Sequence, residues 1–332
     1  MPLEEVKKGF YSRYFLVPKK TGVIGPILDL RILNKTLVKR KFRMLTFQNA
    51  GFHKVRRSGH RPVTGLSLFN YLDDWLICSR SEEAAKQDCH LVVSHLHRLG
   101  FVVNRGKSAL SPSQTAHFLG MTLDSTSMTV GLSRERIRAI SLCVNQFRLR
   151  QRVSSLLCQR LLGMMASAAI ALPLGMLHMR PFQMWYLSLK LSSARNSYQR
   201  VTVDSRCRKA LAIWRMPQFF IAAAPMGIVT RCIVVTTDAS TTGWGALCEG
   251  RSVNGRWSAA EAESHINVLQ LQTVFLVLRH FLPTLSGHHV LVRTDNTSAL
   301  AYINRQGGVR SLPLHHWANR LLQWAAVQIR SL

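Results

Sequence analysis

Two aspartates stand side by side in the segment 70–79, which reads NYLDDWLICS. Apolar residues flank Asp73 and Asp74, a pattern that predicts a tight turn between two strands. Nucleotidyl transfer and phosphodiester hydrolysis use two divalent cations about 3.5–4 Å apart, and clustered carboxylates hold such hard ions. The turn therefore predicts part of a metal-dependent catalytic site. The alternative is an ordinary turn, in which aspartate is common.

A second pair of carboxylates lies in the C-terminal third of the sequence. Asp238 follows a predicted strand at 232–237, and Asp295 follows another at 289–294. Between them the segment 266–282 is apolar almost all round, which predicts a buried helix. Two strand-end carboxylates beside a buried helix suit metal-assisted hydrolysis of a phosphodiester. The alternative is that each aspartate only closes a turn.

The charge balance favours a polyanionic partner. The 332 residues contain 44 Lys and Arg against 16 Asp and Glu, a formal net charge of +28. An enzyme of small metabolites has little use for such self-repulsion, whereas proteins that bind nucleic acid often carry it. The 47% hydrophobic content indicates a globular chain rather than a disordered one.

The cysteines and the apolar segments indicate the cellular compartment of the protein. Seven cysteines are scattered singly with no CxxC pair, which favours a reducing compartment over a disulfide framework or a zinc ribbon. The N-terminal sequence MPLEEVKKGF lacks the apolar core of a signal peptide. The uncharged run 161–179 has the length of a short membrane span, but Pro173 predicts a buried helix pair broken near that residue. We therefore expect an intracellular protein, in the nucleus or cytoplasm, that is neither secreted nor bound to a membrane.

Other segments predict the elements that would position the aspartates. Residues 10–35 predict a β-hairpin with Lys19 and Lys20 at its turn. Ser79 and Glu82 predict a capping box at the start of a helix.

The rest of the chain is predicted to be largely helical up to the last third. The first helix should stop at Gly100 and be followed by a strand at 101–104. The segment 132–215 has a helical pattern, and 217–227 is predicted to be a linker. Paired histidines without metal-site spacing are interpreted as solvated residues. They include His288-His289 and His315-His316.

Several motifs, in one order along the chain, resemble those of a reverse transcriptase. They lie at 19–20, 26–31, 33–35, 71–74, 103–108 and 118–120. The sequences of these motifs are most similar to those of the polymerase of DIRS-type retrotransposons, the tyrosine-recombinase class. Gypsy-type elements are the alternative. The resemblance implies that Asp73 and Asp74 bind metal at the palm turn and that Lys107 protonates the departing pyrophosphate. It implies a primer grip beginning at 118–120, and substrate binding by Lys19, Lys20, Arg31, Lys35 and Tyr71.

The C-terminal third resembles the ribonuclease H domain that follows such polymerases. The matching motifs lie at 237–240, 243–246, 255–258 and 293–296. The resemblance implies that Asp238 and Asp295 are catalytic metal ligands.

The same comparison reveals three departures from the family. The segment 46–70 contains no Asp or Glu, so the first metal-binding aspartate of the palm is absent. Gly25 stands where the family has an arginine for the incoming triphosphate, and Gln270 stands where it has a ribonuclease H glutamate. The fourth carboxylate of that site would lie beyond Leu332.

We therefore expect an α/β protein with reverse-transcriptase-like fingers and a partial palm, a helical thumb and connection, and a ribonuclease H-like C-terminal domain. The expected boundaries are 1–48 for the fingers, 49–69 for the junction at the deleted palm, 70–131 for the partial palm, 132–227 for the thumb and connection, and 228–332 for the last domain. The expected function is that of an internally deleted, truncated retroelement reverse transcriptase and ribonuclease H, impaired in both activities. Its cofactor would be Mg²⁺, or Mn²⁺ in its place, and its partners RNA, DNA and RNA–DNA hybrids, while the oligomeric state stays open. The alternatives are a non-catalytic nucleic-acid-binding remnant and a decayed reading frame.

Overall fold

The computed structural model describes residues 67–191, 199–227, 229 and 231–332, together with the backbone of two N-terminal strands. The chain divides into two units, Met1–Met44 and Leu45–Leu332.

The first unit contains an antiparallel hairpin of β1 (Tyr14–Pro18) and β2 (Ile24–Leu28). This confirms the predicted hairpin, and it pairs Gly25 with Val17. The predicted substrate-binding residues Lys19, Lys20, Arg31 and Lys35 lie outside the described residues.

The second unit begins with a second hairpin and a helix. Strands β3 (Ser67–Tyr71) and β4 (Asp74–Cys78) form a two-stranded antiparallel sheet. Helix α1 (Glu82–Arg98) follows, and its N-cap is Ser81, whose hydroxyl accepts a hydrogen bond from the Ala84 amide. The predicted capping by Ser79 is wrong, because the Ser79 hydroxyl donates to the Asp88 carboxylate instead. The helix ends as predicted before Gly100, which has a φ of 83°.

The predicted strand at 101–104 does not form. These residues are irregular, and Phe101 and Val102 are 62% and 94% exposed. The next strands belong to a four-stranded sheet with the order β10-β7-β6-β5. Its members are β5 (Thr115–Phe118), β6 (Met121–Asp124), β7 (Thr129–Leu132) and β10 (Ala224–Pro225).

Helices dominate the middle of the chain, as predicted. They are α2 (Arg134–Val144), α3 (Ser155–Ala168), α4 (Gly175–Ser188), α5 (Ser205–Ala210) and α6 (Pro217–Ile221). A two-stranded antiparallel sheet of β8 (Arg152–Ser154) and β9 (Arg200–Thr202) lies among them. In the part of the chain that the structure describes, no helix is long and apolar enough to cross a membrane. The run 161–179 forms the expected pair of helices, α3 and α4, which are separated around Pro173.

The segment 217–227 is part of the core rather than a linker. Phe219, Phe220 and Met226 are buried, and β10 pairs with β7. They join a hydrophobic core whose fully buried members include Phe147, Phe182 and Trp214.

The last third of the chain forms a sheet with the order β13-β12-β11-β14. Its strands are β11 (Ile233–Ala239), β12 (Gly243–Cys248), β13 (Arg251–Arg256) and β14 (Val290–Arg293). Its helices are α7 (Ala259–Ala262), α8 (Ile266–His280), α9 (Leu282–Leu285), α10 (Thr297–Asn304) and α11 (Leu312–Gln328). Helix α8 buries Leu271, Val274 and Leu278 in a second core, as its apolar pattern predicts.

A polar contact connects this last third to the middle helices. The Gln306 side-chain oxygen accepts hydrogen bonds from the amides of Met176 and Leu177 in the first turn of α4, at 3.1 and 3.4 Å. The Arg180 guanidinium donates to the Arg305 carbonyl at 2.8 Å. The two cores are therefore held against each other through the loop after α10.

Candidate active site

The register of two parallel strands brings Asp238 and Asp295 to the same level of the C-terminal sheet. Strands β11 and β14 pair from Ile233↔Val290 to Thr236↔Arg293, a constant offset of 57 residues (290 − 233). The same offset separates Asp238 from Asp295, which would form the second pair after Thr236↔Arg293 if the register continued. Neighbouring strands lie about 4.8 Å apart, so the two exposed aspartates lie near each other at the same end of the sheet.

Gln270 of helix α8 lies between the ends of these strands. It is 4% exposed, and its side-chain nitrogen donates to the Asp238 carboxylate at 2.9 Å and to the Ala239 carbonyl at 3.1 Å. Its side-chain oxygen accepts from the Thr294 hydroxyl at 3.3 Å. The amide thus spans β11 and the segment after β14, and all its polar atoms have partners.

The hydrogen bonds continue from Thr294 to a pair of asparagines. The Asn296 amide nitrogen of the backbone donates to the Thr294 hydroxyl, and the Asn296 side chain donates to the Asn267 side-chain oxygen at 2.8 Å. Asn296 also caps α10 by accepting from the Ala299 amide. Sequence reasoning assigned no site role to Thr294, Asn267 or Asn296. The available signal was the i, i+3 spacing of Asn267 and Gln270, which puts both on one face of a helix.

The nearby glutamates are engaged elsewhere or exposed. Glu261 forms a capping box with Ser258 and accepts a hydrogen bond from the Gln272 side chain at 2.7 Å. Its pKa lies below the usual value because the Ser258 hydroxyl and amide donate to the carboxylate. Glu263 is exposed. The hydrogen bonds of Gln270 in the described part of the chain go to Asp238, Ala239 and Thr294, and not to either glutamate.

The residues present do not fit a two-metal centre. Among the residues that the structure describes, no group of three or more His, Cys, Asp or Glu side chains is placed to hold a metal ion. Asp238 Oδ1 already accepts two hydrogen bonds, from the Gln270 side chain and from the Ala239 amide. These occupy both lone pairs of that oxygen and leave Oδ2 for a cation. Two carboxylates and a neutral amide also supply one negative charge fewer than three carboxylates would.

The first pair of aspartates lies at the β3–β4 turn, as predicted. Tyr71 pairs with Asp74, so the turn has two central residues, Leu72 and Asp73, and Leu72 adopts a φ of 53°. The Trp75 indole donates to the Leu72 carbonyl at 3.1 Å and holds the turn. Both aspartates are exposed.

The other predicted polymerase residues are placed separately. Lys107 is exposed in a turn, where its amide donates to the Asn104 carbonyl. The segment 118–120 forms the tight turn between β5 and β6, with φ values of 51° at Leu119 and 73° at Gly120. The Arg136 guanidinium donates to the Leu119 carbonyl at 2.8 Å and fixes that turn to α2.

Comparisons with known proteins agree with this architecture. No protein-family model and no curated protein matches the sequence. Among solved structures, a foamy viral protease-reverse transcriptase, designated dRH and in complex with double-stranded DNA, matches with a TM-score of 0.52 and 16% identity. The match covers 97% of this chain and 64% of that one. Another foamy viral protease-reverse transcriptase structure, also with double-stranded DNA, matches with a TM-score of 0.51, 16% identity, and coverage of 97% and 77%.

These structures define the fold. The chain has the α/β fold of a reverse transcriptase with ribonuclease H, which confirms the predicted fold class. It spans 64% of the first of these structures. Proteins with this fold generally use divalent metal ions.

Proposed function

We propose that this chain is a reverse transcriptase and ribonuclease H fragment derived from a DIRS-type retroelement, with both activities impaired and nucleic-acid binding retained. The observation that carries the proposal is the bridge from Asp238 through Gln270 to Thr294. It occupies the level at which Asp238 and Asp295 share a sheet edge. In the proposed hydrolytic site, the amide of Gln270 stands in the place of a third carboxylate.

Hydrolysis of the RNA strand of a hybrid would be weak for an electrostatic reason. Divalent ions at such a site are held by carboxylate charge and must stay free to contact phosphate oxygens. Gln270 contributes no charge, and its N–H occupies an oxygen of Asp238. Mg²⁺ or Mn²⁺ would therefore bind loosely at the two remaining carboxylates.

DNA synthesis would be absent for a different reason. Asp73 and Asp74 lie on a sheet of two strands, and the segment 46–70 supplies no third carboxylate. Gly25 also removes the two-pronged phosphate contact that an arginine provides.

Binding of RNA, DNA and RNA–DNA hybrids needs only a folded cationic surface. The formal net charge of +28 supplies the attraction, and the two hydrophobic cores supply the scaffold. These features favour the second candidate function, a non-catalytic nucleic-acid-binding protein, over a decayed reading frame. The two candidates differ in whether any hybrid cleavage survives.

Binding is tested by fluorescence anisotropy with an RNA–DNA hybrid, duplex DNA and heparin at about 0.15 M salt. We expect the hybrid to bind more tightly than heparin, and log affinity to fall against log salt with a slope of about −4 to −5 for some six neutralised phosphates. Removing the positive charges at 39–41 and 43 should flatten that slope for all nucleic acids, because phosphate contacts carry no base information. Equal binding to all three ligands would leave only nonspecific charge and contradict the proposal.

A further inference from the structure

The end of the C-terminal sheet opposite Asp238 and Asp295 carries a row of basic side chains. The offset of 57 residues that pairs Ile233 with Val290 also places Arg231 level with His288. On the other side, a parallel bridge pairs His289 with Ser331, so that His288 is level with Arg330. Arg231, His288 and Arg330 therefore form one row across three neighbouring parallel segments.

Backbone hydrogen bonds hold the three segments in this register. The Ile233 amide donates to the His289 carbonyl at 2.9 Å, and the Arg330 amide donates to the His288 carbonyl at 3.0 Å. One residue further along, His289 Nδ1 lies 2.6 Å from the Ser331 hydroxyl, which is the side-chain contact that the register requires. The row is thus fixed by sheet pairing and not by flexible side chains alone.

The row lines an open pocket of about 290 Å³, and none of the described residues that line it is Asp or Glu. Arg231, His288 and Arg330 are exposed, and neither arginine forms a salt bridge with any residue that the structure describes. His288 Nδ1 lies 2.9 Å from the Ser286 carbonyl. Nδ1 must carry a hydrogen to donate to the Ser286 carbonyl. Nε2 takes no part in that contact.

We propose that the row of Arg231, His288 and Arg330 binds the phosphate backbone of a nucleic acid, at a second contact remote from the Asp238 edge. Arginine forks bind phosphate oxygens in pairs, and adjacent strands about 4.8 Å apart put the two arginines about 10 Å from each other. This inference rests on the proposed nucleic-acid binding and adds to it the place of a contact.

The proposal requires a minimum length of ligand. Seven residues separate the level of Arg231 from that of Asp238 (238 − 231), or about 23 Å at about 3.3 Å per residue. At about 3.4 Å per nucleotide, a strand needs about seven nucleotides to reach both ends. A shorter hybrid cannot occupy the two contacts together.

The test compares two double variants that remove the same charge. Arg231→Ala with Arg330→Ala removes the row, and Arg138→Ala with Arg310→Ala removes two exposed arginines elsewhere. Anisotropy is measured with a long RNA–DNA hybrid and with a hybrid of about five base pairs closed by a loop, which is too short to reach both ends. Circular dichroism melts establish that each variant is folded.

We expect the row variant to bind the long hybrid about tenfold more weakly than the control variant. Its salt slope should be smaller in magnitude by about 1.5, for two lost phosphate contacts. The ratio of its affinities for the long and the short hybrid should also be smaller than that of the wild-type chain. Arg231→Lys with Arg330→Lys should lie between wild type and the alanine variant, because lysine keeps the charge and loses the fork.

Equal losses of affinity in the two alanine variants would contradict this inference without contradicting the proposed function. A wild-type chain that binds no nucleic acid contradicts both.

Discussion

The two aspartate pairs of this chain have very different surroundings in the structure. Asp238 lies on β11 and Asp295 follows β14 in a four-stranded sheet, and a buried helix contacts Asp238 directly. Asp73 and Asp74 share one exposed turn of a two-stranded sheet. The Trp75 indole donates a hydrogen bond to the Leu72 carbonyl within this turn.

The difference shows what a carboxylate pair needs before it can do chemistry. Distant residues must be brought to one point by elements whose positions are fixed by packing. Helix α8 and the β11–β14 pairing supply that at the C-terminal end of the sheet, where residue 270 is an amide. At the β3–β4 turn both carboxylates come from adjacent positions, and among the described residues no distant element brings a third acidic group to them.

The largest expected effect is a difference in the free energy of unfolding between variants of the two scaffolds. Leu271→Ala in α8 should lower the free energy of unfolding by about 2–5 kcal/mol, because Leu271 is fully buried and its loss leaves a cavity. Leu72→Ala should change it by less than about 0.5 kcal/mol, since Leu72 is 68% exposed at the other turn. Urea unfolding followed by circular dichroism measures both, and similar losses would show that the two scaffolds do not differ as described.

The second prediction restores charge at the better scaffold. Gln270→Glu should raise hybrid cleavage in Mg²⁺ by about tenfold or more, because a carboxylate replaces the amide between the two aspartates. The measurement is cleavage of a labelled RNA–DNA hybrid. Adding Asp238→Asn to the same chain is the control and should remove the gain. A wild-type chain that already cleaves at the rate of the Gln270→Glu variant would mean that another group completes the site.

The third prediction concerns the contact that holds the C-terminal scaffold to the middle helices. Burial, with Arg180 and His316 nearby, holds the pKa of His315 below its usual value. The unfolded chain therefore takes up the proton first, and stability is lost as the pH falls through the ordinary histidine pKa of about 6.5. His315→Gln should flatten the dependence of melting temperature on pH between about 5 and 7.

A residual slope is expected, because burial also lowers the pKa of His178. An unchanged slope in the His315→Gln variant would mean that His315 takes no part. The corresponding β3–β4 hairpin has no such buried histidine among its described residues.

The smallest expected effect is none at all. Primer extension on poly-rA with oligo-dT in Mg²⁺ or Mn²⁺ should give no product, and Asp73→Asn should therefore change nothing. The reason is the lack of a third carboxylate in 46–70. Extension that Asp73→Asn abolishes would show that the β3–β4 turn is a working polymerase site.

Local sequence patterns predicted some elements and failed at others. The alternation around the β3–β4 turn and the apolar run of α8 were sufficient, because each element's own residues specify it. The strand predicted at 101–104 is absent because a short apolar run alone does not supply a neighbouring strand. The segment 217–227 looks like a linker in composition, yet Phe219 and Phe220 are buried against Trp214.

The helix cap shows the same limit on a smaller scale. Ser79 and Glu82 have the spacing of a capping box, but the helix begins later, and Ser81 caps it. Serines two residues apart can both accept from a helix amide, and the choice depends on where the chain turns into the helix.

The sequence by itself determined which groups are available: four aspartates in two pairs, an amide at 270, and a strong excess of positive charge. The tertiary structure alone decided which of them meet. The offset of 57 residues between β11 and β14 puts Asp238 level with Asp295 at one end of the sheet and Arg231 level with His288 at the other. No local pattern contains that number, because strand register is set by pairing and by the burial of one face against a helix. The rotation of α8 within the core likewise decided that Gln270, and not Gln272, reaches Asp238.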